Sequence, residues 1–333
     1  MAADRVFLTG ASGFVGAHVL RALLTAGYRV RALVRDDSHI AFDDDVEWTN
    51  GDLARSGEFA HALDGCRYLV HTAALYSFTP RDRADIYDVN VNGTASLLAA
   101  AHLAGIERAV LTSSSAAIGH AHGSDGRLPD ERSYPPERPF AAQRGDYHAS
   151  KLEQERAAFS ARLPVVAVLP TAPVGPGDWK PTPTGRLVRD YMRGAISALP
   201  PAGGGMNLVP VEDVATAHVS ALERGNAGER YVLGGENLEM DAIWRLLSEV
   251  TGRPLPTWRA PYALAYAVAA ADEIRCRIDS DATPFAPLEG VRLSRERMYA
   301  DSTKARTQLD FVPSPVRDAV ERSVIWYREN GAS

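Results

Sequence analysis

The sequence predicts an α/β fold: a doubly wound parallel sheet followed by a smaller mixed α/β part at the C-terminal end. Three observations carry the prediction. Short apolar runs alternate with helical spacings through the first half of the chain. A glycine-rich turn stands at the first junction of strand and helix. After Pro170 the alternation stops, and proline and glycine crowd the chain.

The elements follow in order. Arg5–Thr9 (RVFLT) is an apolar strand that stops at Gly10, and Val15–Ala26 has helical spacing up to Gly27. Arg29–Val34 and Val46–Thr49 read as the second and third strands, with a short helix at Glu58–Leu63. Arg67–His71 (RYLVH) is the fourth strand, and Ile86–Ala104 a long helix closed by Gly105. Arg108–Thr112, a helix over Tyr147–Ala161 and Val165–Leu169 complete six strands. Pro170–Gly185 and Pro200–Gly205 read as loops. Helices are predicted over Arg186–Arg193, Val211–Glu223, Met240–Thr251, Pro261–Arg275 and Pro315–Glu329. The chain is expected to return to the main sheet near Val209–Leu222 and at a strand over Tyr231–Leu233.

Composition narrows the function. The chain has 333 residues, 45% of them hydrophobic and 23% charged, which is ordinary for a globular protein. A net charge of −6 gives nucleic-acid binding little support. Cys66 and Cys276 are the only cysteines. Two distant cysteines make no disulfide framework and no metal motif, and they fit a reducing cytoplasm. The apolar tract Tyr262–Ala271 is too short to span a bilayer and reads as a core or pocket helix. His120 and His122 lie in a Gly/Ser-rich segment without a carboxylate at ligand spacing, so no metal is expected. His71 and His218 sit in apolar elements and read as satisfied core groups.

Thr9–Gly16 reads TGASGFVG. Gly10, Gly13 and Gly16 follow a strand and open a helix. Glycines there let the backbone approach a pyrophosphate, and the helix N-terminus meets it with free N–H groups and partial positive charge. The spacing departs from G-x-G-x-x-G, yet its place in the alternating pattern points to a dinucleotide. Gly10, Ser12, Gly13, Phe14, Val15 and Gly16 are therefore candidate cofactor contacts. At the end of the second strand Val34 stands where an NAD site carries an acid, and Arg35 follows. A guanidinium can grip a 2′-phosphate, so NADP(H) is favoured over NAD(H). Asp36 and Asp37 leave open that Arg35 is a solvated strand-end charge. Asp52 can accept from an adenine amino group while Leu53 packs on the ring; a turn-capping Asp52 is nearly as good a reading.

Tyr147 and Lys151 stand four apart on one helix face. An ammonium near a phenol, whose ordinary pKa is about 10, favours the phenolate and makes the tyrosine usable as acid or base. The fifth strand runs into Thr112-Ser113-Ser114-Ser115, where a hydroxyl can polarise a substrate carbonyl.

TGASGFVG, GDL (51–53), HTAA (71–74), NVNGT (90–94), TSSS (112–115) and YHASK (147–151) occur in the order and spacing of one family. By them the whole chain resembles the extended short-chain dehydrogenase/reductases. The resemblance implies a Rossmann fold, a nicotinamide cofactor and a Ser–Tyr–Lys triad. The triad would be Ser114, Tyr147 and Lys151, with Ser113 and Ser115 as fallbacks. Thr72, Ala73 and Ala74 would line the cofactor's ribose and pyrophosphate side. Asn90 would contact or orient near the nicotinamide, or brace the neighbouring helix. Pro170 and Thr171 would lie beside the nicotinamide ring, and Lys151 would reach the ribose. On this view residues 1–170, with returning segments near 207–235, form the NADP-binding domain, and 171–333 mainly bind substrate. The family often dimerises, which suggests a homodimer through the helices beginning near Asp88 and Tyr147.

Four C-terminal segments (173–186, 208–225, 228–238 and 300–305) look most like the group called hopanoid-associated sugar epimerases, which also resembles dihydroflavonol-4-reductase-type ketone reductases. Sugar-nucleotide epimerases of the family hold a diphosphate with an asparagine and an arginine; the matching positions here are Ala172 and Met206. That loss argues against a nucleotide sugar, unless Lys180, Arg186 or Arg292 substitutes. Leu75, Tyr76, Phe78 and Trp179 suggest an apolar pocket wall, with Ser115 as a further candidate substrate contact. The expectation is an NADP(H)-dependent reductase of a bulky apolar ketone. The alternatives are an epimerase with tightly held NAD(P) and a non-catalytic NADP(H) sensor.

Overall fold

In a computed structural model of the chain, residues 4–35, 45–77, 82–118, 127–133, 145–278, 288, 291 and 294–330 are described. Seven strands form one parallel sheet: β1 (Arg5–Thr9), β2 (Arg29–Val34), β3 (Val46–Asn50), β4 (Tyr68–His71), β5 (Arg108–Thr112), β6 (Val165–Pro170) and β9 (Arg230–Leu233). Their order is β3-β2-β1-β4-β5-β6-β9. The order reverses between β1 and β4, which opens a crevice at the strands' carboxyl ends. Strand alternation fills both faces. Val6 and Leu8 of β1 enter one apolar cluster with α1 (Phe14–Thr25), while Phe7 enters the cluster on the other face.

After β4 the chain forms α2 (Arg83–Tyr87), a π-helical turn (Asp88–Gly93) and α3 (Thr94–Leu103). The single helix expected over Ile86–Ala104 is thus interrupted. Helix α4 (Asp146–Phe159) follows β5 and carries the tyrosine and lysine. The short helix expected at Glu58–Leu63 is instead a pair of 3-10 turns, Leu53–Glu58 and Ala60–Leu63.

A second, four-stranded sheet holds β7 (Ala172–Val174), β8 (Gly205–Pro210), β10 (Glu236–Glu239) and β11 (Arg297–Met298). It packs with α5 (Pro183–Arg193), α7 (Met240–Thr251) and α10 (Val316–Glu329) around Trp244, Leu247 and Tyr327. Helix α6 (Val211–Arg224) covers the main sheet beside α1, and β9 closes that sheet's edge as expected. The strand preceding α6, however, belongs to the second sheet. Helices α8 (Tyr262–Ile278) and α9 (Thr303–Gln308) complete the chain. Among the described residues, no helix is long and apolar enough to cross a membrane.

Candidate active site

The glycine turn is built for close approach. Gly10 has φ +77°, and a Cβ on it would lie 2.6 Å from the Ala73 backbone nitrogen. A Cβ on Gly16 would lie 1.9 Å from the Gly10 carbonyl oxygen, so only glycine lets α1 rise directly off the turn. Gly13 precedes α1 in extended conformation, with no side-chain cap and no acidic residue in the helix's first turn. Free N–H groups therefore face the crevice, as a pyrophosphate needs. The residues fit the group. Thr72 donates its hydroxyl to the Thr9 carbonyl at 2.7 Å and locks the HTAA stretch against this turn. Arg35 is exposed at the end of β2. Asp52 Oδ1 accepts from the Ala54 N–H at 3.0 Å and so caps its own 3-10 turn, while Leu53 is buried.

The serine run separates by role. Ser114 caps the 3-10 turn Ser115–Ala117, and its hydroxyl lies beside the Tyr147 phenol, where it favours the phenolate. Ser113 points elsewhere: it donates to Glu155, which also forms a buried 2.8 Å ion pair with Arg230 of β9. Arg230 donates further to the carbonyls of Ala117 (3.1 Å) and Glu131 (2.8 Å). Glu155 and Arg230 thereby fasten the backbone on both sides of Ser114. The sequence pattern YHASKLEQE does not announce this; an i,i+4 glutamate after a lysine normally faces solvent.

Tyr147 is half-buried, and burial pushes its phenol up to about 12, opposed by the Ser114 hydrogen bond. The lowering expected from Lys151 is not found: desolvation penalises the phenolate, and the opposing pull comes from Ser114. Lys151 itself is buried and donates to the Thr112 carbonyl at 2.9 Å and to Gln154 Oε1 at 2.5 Å. Burial brings its ammonium down to about 8, with Glu155 pulling the other way.

Asn90 lies in the π turn, fully buried. Its amide accepts from the Leu75 N–H (2.7 Å) and donates to the Leu75 carbonyl (3.0 Å) and the Ser150 hydroxyl (3.1 Å). It thus braces α4 against the segment after β4, and the Tyr76 ring packs edge-on against Tyr147 at 4.4 Å. Thr171 donates to Asn207 of β8 at 2.8 Å, just beyond Pro170 at the end of β6. Trp179 is 68% exposed and packs edge-on against Trp326 of α10 at 4.7 Å. Asp36, Asp37, Phe78, His120, His122 and Arg292 lie outside the described residues. His71 and His218 are buried and hydrogen-bonded.

The model of the NAD dependent epimerase/dehydratase family matches residues 6–234, which span the glycine turn, Ser114, Tyr147, Lys151 and all seven strands of the main sheet. The chain belongs to this family. It is a member of the extended short-chain dehydrogenase/reductases, whose members bind NAD(P) and include reductases, epimerases and dehydratases. Among relatives, it is 39% identical to a Synechocystis protein named "Putative dihydroflavonol 4-reductase", over 99% of this chain and 96% of that protein. It is 35% identical to sterol demethylase protein B of Methylococcus capsulatus, over 97% and 98%. Among solved structures, that of gox2253 superposes with a TM-score of 0.84 at 37% identity, covering 99% of both chains.

Proposed function

We propose that this family member is an NADP(H)-dependent oxidoreductase that reduces a ketone of a bulky, mainly apolar small molecule. The observation that carries the reading is the placement of the Tyr147 phenol beside Ser114, one helical turn from an ammonium already held by two acceptors. The cofactor supplies the hydride when bound. Gly10, Ser12, Gly13, Phe14, Val15 and Gly16 hold its pyrophosphate, Asp52 and Leu53 its adenine, and Arg35 its 2′-phosphate. Thr72, Ala73 and Ala74, with Pro170 and Thr171, line the rest of its site. Residues 1–170 and the returning segments near 207–235 form the cofactor half, and 171–333 mainly the substrate half.

Ser114 hydrogen-bonds the substrate carbonyl oxygen, and Tyr147 donates a proton to it. A phenol at about 12 is protonated at neutral pH, the form that reduction requires. Lys151 has three N–H donors; two meet protein acceptors and the third serves the ribose hydroxyls. Its charge stabilises the tyrosinate left after proton donation. Asn90 keeps Tyr76 and Tyr147 in register, so that Tyr76 forms one wall of the substrate pocket.

What the second sheet presents supports the proposed substrate class. Ala172 on β7 and Met206 on β8 pack into an apolar cluster, at the places where a diphosphate would need polar clamps. The relatives named for a dihydroflavonol and a sterol point to the same polycyclic class.

The test begins with the dinucleotide that copurifies, followed by NADPH and NADH titrations and a panel of polycyclic and terpenoid ketones. We expect an exchangeable site that prefers NADPH. NAD⁺ that resists dialysis would overturn the reading in favour of an epimerase. Tyr147→Phe is expected to bind NADPH normally while kcat falls at least about 100-fold. Full turnover in that variant would remove Tyr147 from the chemistry.

A further inference from the structure

Behind Lys151 runs a buried chain of hydrogen bonds whose directions are fixed by counting protons. Thr94 has one hydroxyl proton, and it goes to the Asn90 carbonyl at 2.7 Å. The Thr94 oxygen must therefore accept from its other two neighbours. One is the Gln154 amide nitrogen, at 2.8 Å. The other is His71 Nε2, also at 2.8 Å, so this nitrogen carries the imidazole proton. His71 Nδ1 is then an acceptor and receives the Thr9 hydroxyl proton at 2.7 Å. With the Gln154 nitrogen committed to Thr94, its oxygen faces Lys151 and accepts from the ammonium.

The order runs Thr9, His71, Thr94, Gln154, Lys151. His71, Thr94 and Gln154 are each fully or nearly fully buried. Thr9 and His71 are cross-strand partners in the register of β1 and β4, and Thr9 immediately precedes Gly10. Reversing any one member, as by flipping the Gln154 amide, sets two donors face to face, so the network has one arrangement.

We infer that Gln154, Thr94 and His71 are positioning residues that hold the Lys151 ammonium in its charged form and tie it to the strand bearing the glycine turn. The inference rests on the reading of Lys151 given above. His71 acts as a strut of fixed tautomer and stays neutral, because burial and the nearby ammonium both disfavour its protonation. Among the described residues, the other charged or titratable groups around Lys151 are Tyr147 and Glu155 of α4, with Arg230 of β9 paired to Glu155. From α6, His218 meets it only through Thr112: its Nε2 accepts the Thr112 hydroxyl proton, and its Nδ1 donates to Val214.

The chain makes a direct test possible, because Lys151, Lys180 and Lys304 are its only lysines. Selectively 13C-lysine-labelled protein, free of added cofactor, gives three side-chain Cε signals whose titration is followed by NMR. In the wild type, one of them should titrate near 8, and Lys151→Met assigns it by removing it. Gln154→Leu takes away the only side-chain acceptor of the ammonium among the described residues, and the midpoint should fall by about one pH unit or more. Thr94→Val frees the amide to flip and should shift it the same way by less; Thr94→Ser should restore the wild-type value. Gln154→Glu, which keeps an acceptor and adds charge, should move the midpoint up. In turnover assays the alkaline limb of kcat/KM should move with the NMR midpoint. Unmoved Lys151 midpoints in the Gln154 variants and Thr94→Val would overturn the inference, even if kcat fell, since a packing role lowers rate without moving a titration. Should Gln154→Leu fail to fold, the Gln154→Glu and Thr94→Val measurements decide alone. Moving midpoints together with an active Tyr147→Phe would instead leave the inference standing for the ammonium and discard the catalytic reading.

Discussion

Lys151 and Tyr147 each carry a proton under pressure from burial, and the pressures act in opposite senses. The phenol is held protonated, up to about 12, and the ammonium is brought down to about 8. Both shifts come chiefly from desolvation, which disfavours whichever form is charged. At pH 7 the pair is therefore a neutral phenol beside a cation, with the proton that reduction consumes held on the phenol. Arg35 is the other residue on which the functional reading turns. It stands exposed at the carboxyl end of β2, one residue past Val34, so no carboxylate occupies the position that favours a ribose hydroxyl. A guanidinium pairing a phosphate is worth about 1.5–3 kcal/mol. Arg35→Ala should thus weaken NADPH about 10- to 100-fold in a binding titration and leave NADH within about threefold. Equal losses for both would assign Arg35 to the fold. Tyr147 and Lys151 were legible because an i,i+4 pair needs only one helix to bring it together. Gln154 was not, because its partners come from α3, and through Thr94 from β4, and no local spacing foretells that meeting.

At the scale of elements, the π turn Asp88–Gly93 and strand β9 matter most for the site. The helical spacing over 86–104 is smooth enough to read as one helix, yet the turn buries Asn90 and brings Thr94 to His71. Gly93 allows it, since a Cβ there would stand 3.2 Å from the Leu53 carbonyl. Strand β9 was legible as apolar sequence, but Arg230 at its head reads like a strand-end charge and is buried instead. The second sheet was largely illegible. GMNLVP begins with glycine and ends with proline, and ENLE of β10 has no apolar alternation, so pairing between them decides what propensity does not. Removing one partner of a buried ion pair leaves the other charge stranded, at a cost of about 3–5 kcal/mol. Arg230→Met should therefore lower the urea unfolding free energy by about that much. Adding Glu155→Gln should recover part of it, because the stranded carboxylate is gone. A loss below about 1 kcal/mol in the single variant would mean that water or other groups compensate the pair.

At the scale of the molecule, the parallel sheet has a buried neutral histidine toward each face. Thr9 and His71 share the face of Phe7, toward α3; Thr112 shares the face of Val110, toward α6, and meets His218 there. This two-sided burial is the alternation of strand residues carried through the whole sheet, which is why the main fold could be read from sequence. The consequence is a dependence on pH. Burial lowers His71 to about 3 and His218 to about 4 from the ordinary 6.5. Between the folded and unfolded values the unfolded chain binds a proton that the folded chain refuses. The stability each neutral histidine contributes is thus full above about 6.5 and is lost as pH falls toward the folded value. The raised carboxyls of Glu131, Glu155 and Asp178 act in the opposite sense, so the wild-type profile alone does not isolate the histidines. A substitution that keeps the hydrogen bonds does. His218→Gln can still donate to the Val214 carbonyl and accept from Thr112, while losing the titration. Between pH 7 and pH 5 the wild type should lose about 2 kcal/mol more unfolding free energy than this variant. Chemical denaturation of both proteins at the two pH values measures it. Parallel profiles would mean that His218 is protonated as easily in the folded chain as in the unfolded one, and that burial in this sheet does not govern its charge.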